Sequence, residues 1–162
     1  MLYLLDANVL ISADALHYPL KRIPQFWVWL LDMGEAGHVK MPYEIYHEIA
    51  ISKGDLKEWL TTPDAVKKLL LDEHIDRANL QKVMNEGYAP NLNDSQQEQM
   101  GQDPFLIGYA LPYSLSATVV TREVSKPSKQ GHNRKVPDVC KHFHIRCISD
   151  FDLYRELNFT IK

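Results

Sequence analysis

The stretch LYLLDANVLI, residues 2–11, places an acidic residue between two apolar runs. The first run, Leu2–Leu5, has the length and composition of a strand that is buried on both faces. Asp6 follows it directly, although Asp is depleted in strands and is almost never buried without a partner. Two interpretations are open: Asp6 caps a helix that begins at Ala7, or it binds a cation at the end of the strand.

The composition is that of an ordinary globular domain. The chain has 162 residues, of which 45% are hydrophobic and 24% charged, and its formal net charge is −3. This length predicts one domain, residues 1–162, with a sizeable core, and the charge argues against a surface that binds nucleic acid everywhere. Two cysteines form no disulfide framework, and no secretory or membrane-spanning segment is recognised, so a cytoplasmic location with no membrane contact is expected.

Short apolar runs alternate with helical patterns along the chain. Strands are predicted at 2–5, 39–41, 117–120 and 145–148. Helices are predicted at 7–15, 23–31, 43–51, 105–111, 137–143 and 150–157, with a polar, helical middle at 55–100 in which DSQQEQMGQ is a linker or an exposed helix start. Gly34 and Gly37 are expected to end the second helix. The alternation predicts an α/β fold, a three-layer α/β/α sandwich around a small, mainly parallel central sheet.

Four acids stand where these elements begin or end. Asp6 ends the first strand, Glu48 lies in the helix after the second, Asp103 precedes a helix, and Glu123 lies two residues past Thr121, where the third apolar run ends. Sites in parallel sheets form at the carboxyl ends of strands, so these acids are expected to converge. Converging carboxylates repel one another unless a cation neutralises them, and oxygen ligands suit Mg²⁺ or Mn²⁺.

Each acid also has a purely structural interpretation. Glu48 fits a solvated helix position, and Glu44, one turn earlier, is the weaker candidate because nothing else supports it. Asp103 fits an N-cap ahead of a proline, and Glu123 fits a loop charge. Asp138 fits the first turn of a helix, where an acid is favoured by the helix dipole.

Four motifs, in order, resemble the PIN-domain ribonucleases, which include the VapC-like toxins. They are LLDANVLI, MPYEIYHEI, DPFLIGYAL and TVVTRE. The resemblance implies a single PIN-like domain in which Asp6, Glu48, Asp103 and Glu123 are catalytic and bind the metal. It also implies that Asn8 and Thr121 orient these ligands or hold water.

The end of the chain, KVPDVCKHFHIRCISDF, resembles a PIN-like bacterial subfamily of uncharacterised proteins, DUF4411. Glu123 stands where the wider family has Asp, so Asp138 is a second candidate for the fourth metal-binding acid. The choice between these two acids is open at this point.

The resemblance implies a Mg²⁺- or Mn²⁺-dependent endoribonuclease that hydrolyses phosphodiester bonds of single-stranded RNA. In such an enzyme the metal lowers the pKa of a bound water for in-line attack on the phosphorus. The toxin role of a toxin–antitoxin pair, a cognate antitoxin and a homodimer are implied with it. The alternative is a catalytically inert PIN-like module that binds RNA or a protein.

A basic segment adjoins the fourth-acid candidates. Residues 122–141 contain six Lys and Arg against two acids, in a chain whose net charge is negative. Such a loop is expected to bind a phosphate backbone, although a merely solvated loop is the alternative. The predicted RNA contacts are Arg122, Lys126, Lys129, Arg134 and Lys135.

Two other chemistries have weaker support. Cys140, His142, His144 and Cys147 suggest zinc, but their spacing matches no common zinc pattern. An aspartyl-phosphate mechanism on Asp6 would require an acid two residues later, where the chain has Asn8.

Overall fold

Four parallel strands form the central sheet, in the order β2-β1-β3-β4. The computed structural model describes residues 1–162 and defines β1 (Leu2–Leu5), β2 (Val39–Lys40), β3 (Ala117–Val120) and β4 (Arg146–Ile148). Leu5 lies opposite Val120 in the register of the two central strands. The carboxyl ends of β1 and β3 therefore lie side by side, as parallel pairing requires.

Ten helices cover the sheet. They are α1 (Ala7–Ser12), α2 (Pro24–Glu35), α3 (Tyr43–Ala50), α4 (Asp55–Leu60), α5 (Pro63–Leu69), α6 (Arg77–Lys82), α7 (Asp94–Met100), α8 (Asp103–Ala110), α9 (Val136–His142) and α10 (Asp150–Glu156). Wider π-helical turns continue α1 through Ala13–His17 and α6 through Val83–Tyr88. The arrangement is a three-layer α/β/α sandwich and confirms the predicted fold class. None of these helices combines the length and apolarity needed to cross a membrane.

The two central strands are apolar because both of their faces are covered. Leu4 and Leu5 of β1 and Val119 and Val120 of β3 are at most 1% exposed. Burial of an aliphatic side chain of this size stabilises a fold by about 1.5–3 kcal/mol. The two strands that lead to Asp6 and Glu123 are thus the most deeply buried part of the sheet.

The prediction that Gly34 ends the second helix is wrong. α2 continues to Glu35, and Gly34 is buried where α2 crosses α5. A Cβ at Gly34 would lie 2.5 Å from the carbonyl oxygen of Lys68, so only glycine permits this approach. The chain leaves the helix at Gly37, whose φ of +82° suits a residue without Cβ.

The segment DSQQEQMGQ forms α7 and the turn after it. Asn93 accepts a hydrogen bond from the backbone N–H of Gln96, whose side chain in turn accepts from the Asn93 N–H. This reciprocal capping starts a helix that has little apolar surface of its own. α7 ends at Met100, and Gly101 and Gln102 connect it to the helix that carries Asp103.

Candidate functional site

Asp6 lies at the carboxyl end of β1 and is 5% exposed. Its backbone N–H donates to the carbonyl of Val120 over 2.9 Å, which continues the pairing of β1 with β3. Its Oδ2 accepts from Thr121 Oγ1 at 2.8 Å and from Asn8 Nδ2 at 3.2 Å. The carboxylate makes no capping hydrogen bond to α1. Its hydrogen-bond partners are therefore two side chains, Thr121 across the sheet edge and Asn8 in α1.

Asn8 and Thr121 join the ends of the two central strands. Asn8 Nδ2 donates to Thr121 Oγ1 at 3.2 Å, and Asn8 Oδ1 accepts from the backbone N–H of Arg122 at 3.1 Å. Thr121 Oγ1 also accepts from the backbone N–H of Glu123 at 3.1 Å. This network fixes the carboxylate of Asp6 and the backbone that leads to Glu123.

Glu123 faces the start of α9. Its Oε2 accepts from the backbone N–H of Val136 at 2.9 Å, and its Oε1 lies 3.9 Å from Lys135 Nζ. The negative charge of Glu123 raises the pKa of both Asp6 and Asp103. Glu123 is thus held beside these two carboxylates although it lies in a loop.

Asp103 occupies the first turn of α8. Gln102, and not Asp103, is the N-cap residue of this helix, so the N-cap interpretation of Asp103 is wrong. Burial raises the pKa of Asp103 to about 8, with further contributions from the charges of Asp6, Glu123 and Glu48, while Lys135 acts in the opposite direction. A carboxyl group with such a pKa holds its proton at neutral pH.

Glu48 completes the group of interacting acids from α3. Its pKa is raised first by loss of hydration and then by the charge of Asp6, while the backbone of Gln102 lowers it. The pKa of Asp6 is raised mainly by its burial, and the hydrogen bond from Thr121 lowers it. The structure therefore brings Asp6, Glu48, Asp103 and Glu123 within electrostatic reach of one another.

These carboxylates are crowded but do not form a closed ligand shell. No three Asp, Glu, His or Cys side chains anywhere in the chain lie close enough together to hold a metal ion. The two Cys and two His residues considered for zinc are therefore not gathered as metal ligands either. No Lys or Arg forms an ion pair with Asp6, Glu48 or Asp103. Mg²⁺ commonly binds one or two carboxylates and keeps several waters, so the donor chemistry of Asp6 and Asp103 fits a hydrated Mg²⁺ or Mn²⁺ ion.

Asp138 lies in the first turn of α9 and fastens the preceding loop. Its carboxylate accepts from the Ser125 hydroxyl and, at 2.8 Å, from the backbone N–H of Lys126. It therefore closes the loop between β3 and α9. Of the two candidates for the fourth acid, Glu123 is the one whose charge acts on Asp6 and Asp103.

The predicted RNA contacts fall into two groups. The guanidinium of Arg122 contacts Asp150 Oδ2 at 3.2 Å and His17 Nε2 at 2.7 Å, and that of Arg134 donates to the backbone carbonyls of Gly87 and Asp138. Lys135 lies near Glu123. Lys126 and Lys129 are exposed and form no ion pair. The two arginines hold the loop in place, and the two lysines are free to meet a polyanion.

Tyr88 is a residue of this region that the sequence did not indicate. It is 7% exposed, and its hydroxyl is buried without a hydrogen-bond partner. Burial raises its pKa, and so do the charges of Asp103, Glu123 and Asp6. Its segment packs closely on α9, because a Cβ at Gly87 would lie 2.8 Å from Val139. A π-helical turn has no composition signature, so nothing in the sequence placed Tyr88 here.

One comparison with known families matches nearly the whole chain. The model of a domain of unknown function, DUF4411, matches residues 3–161, a range that contains every candidate acid. None of the curated proteins matches the chain significantly. The resemblance of the C-terminal segment to this subfamily is therefore confirmed. The chain belongs to the DUF4411 family.

Proposed function

We propose that the chain is a PIN-like, Mg²⁺- or Mn²⁺-dependent endoribonuclease that hydrolyses phosphodiester bonds of single-stranded RNA. One observation carries this proposal: at the carboxyl end of the parallel sheet the charge of the buried Asp6 acts on the partly buried Asp103, and neither carboxylate forms an ion pair with a Lys or Arg. Such a carboxylate pair is stabilised by a divalent cation. The motifs shared with PIN-domain ribonucleases support the same activity.

The residues of the chain have distinct roles in this reaction. The bound metal ion would lower the pKa of a water molecule and neutralise charge that develops on the phosphate. Asp6 and Asp103 would hold the ion, and Thr121 and Asn8 keep Asp6 in one orientation. Asp103 would release its proton to do so, because a nearby cation lowers the pKa of a carboxyl group. Glu48 and Glu123 add negative charge that attracts the ion.

RNA reaches this site along the loop between β3 and α9. The exposed Lys126 and Lys129 lie three and six residues beyond Glu123 and bind phosphates of the backbone. The ties from Arg134 and Asp138 keep this loop close to the acids. A toxin role, an antitoxin partner and a homodimer belong to the same proposal through the PIN resemblance.

Substitution of the two central acids tests the proposal. Asp6→Asn and Asp103→Asn should each abolish Mn²⁺-dependent cleavage of single-stranded RNA without lowering the melting temperature. Asp94→Asn is the control, because Asp94 is an exposed acid in the first turn of α7 that has no role in the proposed reaction, and it should retain the cleavage. Full activity of either central variant would overturn the assignment.

An inert RNA-binding module is the second candidate, and one observation favours it: no three acids are gathered as metal ligands. The two candidates give different results for the wild-type protein. The nuclease binds Mn²⁺ in calorimetry and cleaves RNA, whereas the inert module binds RNA but leaves it intact at every Mn²⁺ concentration.

A further inference from the structure

A second concave site lies apart from the four interacting acids. It is a cavity of about 540 Å³ between the start of α3, the end of α8 and residues 70–77. Its apolar wall consists of Leu70, Leu71 and Ile75. Its polar wall carries three carboxylates, those of Glu44, Asp72 and Glu73. The nuclease proposed above makes no use of this cavity.

Glu44 has an unsatisfied buried oxygen at this cavity. Its Oε1 accepts from the Tyr109 hydroxyl at 3.2 Å, whereas its Oε2 is buried without any hydrogen-bond partner. An unpaired buried carboxylate oxygen is costly, and a donor supplied from outside the chain would satisfy it. The burial of Tyr109 and the charge of Glu44 both raise the pKa of Tyr109, so its hydroxyl stays protonated as a donor to Oε1.

The charge and shape of the cavity indicate which kind of donor can reach Glu44 Oε2. Glu73 is oriented at the rim by the Tyr113 hydroxyl, which donates to its Oε1 at 3.1 Å. The basic side chains in the lining are His74 and Arg77, both exposed, and Arg77 forms no ion pair with the three acids. The rings of Tyr43 and Tyr109 also line the cavity and can face a cation. Phosphate groups are disfavoured here by three carboxylates.

We propose that this cavity binds an alkyl cation, a guanidinium or ammonium group on an apolar stem, with its charge at Glu44. The stem packs on Leu71 and Ile75, and the cation supplies the hydrogen bond that Glu44 Oε2 lacks. Two sources carry this chemistry: a free alkylamine, or the Arg or Lys side chain of a partner protein. The proposal does not depend on nuclease activity.

Titration of the full chain with n-butylguanidinium, followed by backbone amide NMR, tests the site. Shifts are expected around Leu71 and Tyr109, and n-butylurea, which has a similar shape but no charge, should produce none. Glu44→Gln should weaken binding at least tenfold. Glu58→Gln, an exposed acid of α4 outside the cavity, is the matched control and should leave binding unchanged.

A second variant keeps the test informative if Glu44→Gln fails to fold. Glu73 is exposed at the rim, so Glu73→Gln should fold normally and weaken binding severalfold. Absence of wild-type binding, equal binding of butylurea, or equal affinity of both cavity variants and the Glu58→Gln control would each overturn the proposal. Tighter binding of agmatine than of an Ala-Ala-Arg-Ala-Ala peptide supports a free amine as the source, and the reverse supports a protein side chain.

Discussion

Asp103 is the acid of the candidate site whose ionised form is strongly disfavoured. Its pKa of about 8 exceeds the ordinary value of 3.8, chiefly because the carboxyl group is buried and then because three other acids surround it. Between these two pH values the folded chain binds a proton that the unfolded chain has lost. The free energy of unfolding therefore falls as the pH rises from about 4 to about 8.

Asp103→Asn should remove this dependence in the metal-free protein. In EDTA at pH 8, we expect the variant to exceed the wild type by at least about 1 kcal/mol in free energy of unfolding, since one pKa unit corresponds to about 1.4 kcal/mol. Urea denaturation from pH 4 to pH 9 measures this difference in the free energy of unfolding. Asp94→Asn, an exposed acid in the first turn of α7, is the control, and equal pH profiles of Asp103→Asn and wild type would contradict the prediction.

Tyr88 offers a second prediction for a single side chain. Because its buried hydroxyl has no partner, Tyr88→Phe should raise the free energy of unfolding by about 1 kcal/mol. Tyr3→Phe is the contrast: the Tyr3 hydroxyl donates to Glu156 at 2.6 Å, and its loss should destabilise the fold by about 1 kcal/mol. Thermal unfolding of both variants decides the matter, and a destabilised Tyr88→Phe would show that its hydroxyl has a partner.

Among the elements, the strands and the order of layers follow from the sequence, whereas the turns around the site do not. Apolar runs between turn residues predicted all four strands to within about two residues, because buried parallel strands need apolar side chains on both faces. The π-helical turns at 13–17 and 83–88 were missed, since only backbone geometry defines them. The sequence favoured Asp6 as a site residue, yet its hydrogen bond to Thr121 depends on the register of β1 and β3.

The turn between α7 and α8 determines where Asp103 lies. Gly101 has φ +61° and ψ −136°, a conformation that side chains with a Cβ adopt only under strain. Gly101→Ala should therefore lower the free energy of unfolding by about 1–3 kcal/mol and reduce Mn²⁺ affinity through displacement of Asp103. Urea denaturation and calorimetry measure the two effects. Glu98→Ala, at an exposed position of α7, should change neither the stability nor the Mn²⁺ affinity. An unchanged free energy of unfolding in Gly101→Ala would contradict the strained turn.

At the scale of the whole molecule, the proposed function requires a negative protein to bind a negative polymer. The net charge of −3 makes the position of each exposed cation decisive. Lys126 and Lys129 stand on the loop that leads to the candidate site, while Arg122 is paired with the buried Asp150. Under that proposal, binding of RNA at the site depends on a small number of lysines and weakens with salt.

Charge reversal of these lysines should show this dependence. The double variant Lys126→Glu and Lys129→Glu should lower RNA affinity about tenfold or more at low salt and reduce the slope of log affinity against log salt by about 1–2. Lys53→Glu with Lys67→Glu makes the same charge change at exposed positions remote in sequence and should have a smaller effect. Fluorescence anisotropy with a labelled single-stranded RNA measures the affinity. Equal effects of both pairs of substitutions would exclude the loop as the RNA-binding segment.

The position of β1 in the middle of the sheet affects how the chain folds during synthesis. Within this chain β1 is synthesised before both of its neighbours, and one of them, β3, begins only at Ala117. The hydrogen bond between Asp6 and Thr121 spans 115 residues of sequence, and such long-range pairing is slow to form. A nascent chain therefore has β1 without its β3 partner, and Asp6 without its hydrogen bond to Thr121, until synthesis has passed Thr121. Synthesis itself thus delays assembly of the acidic site, and translation products that stop before Glu123 lack at least one of its acids.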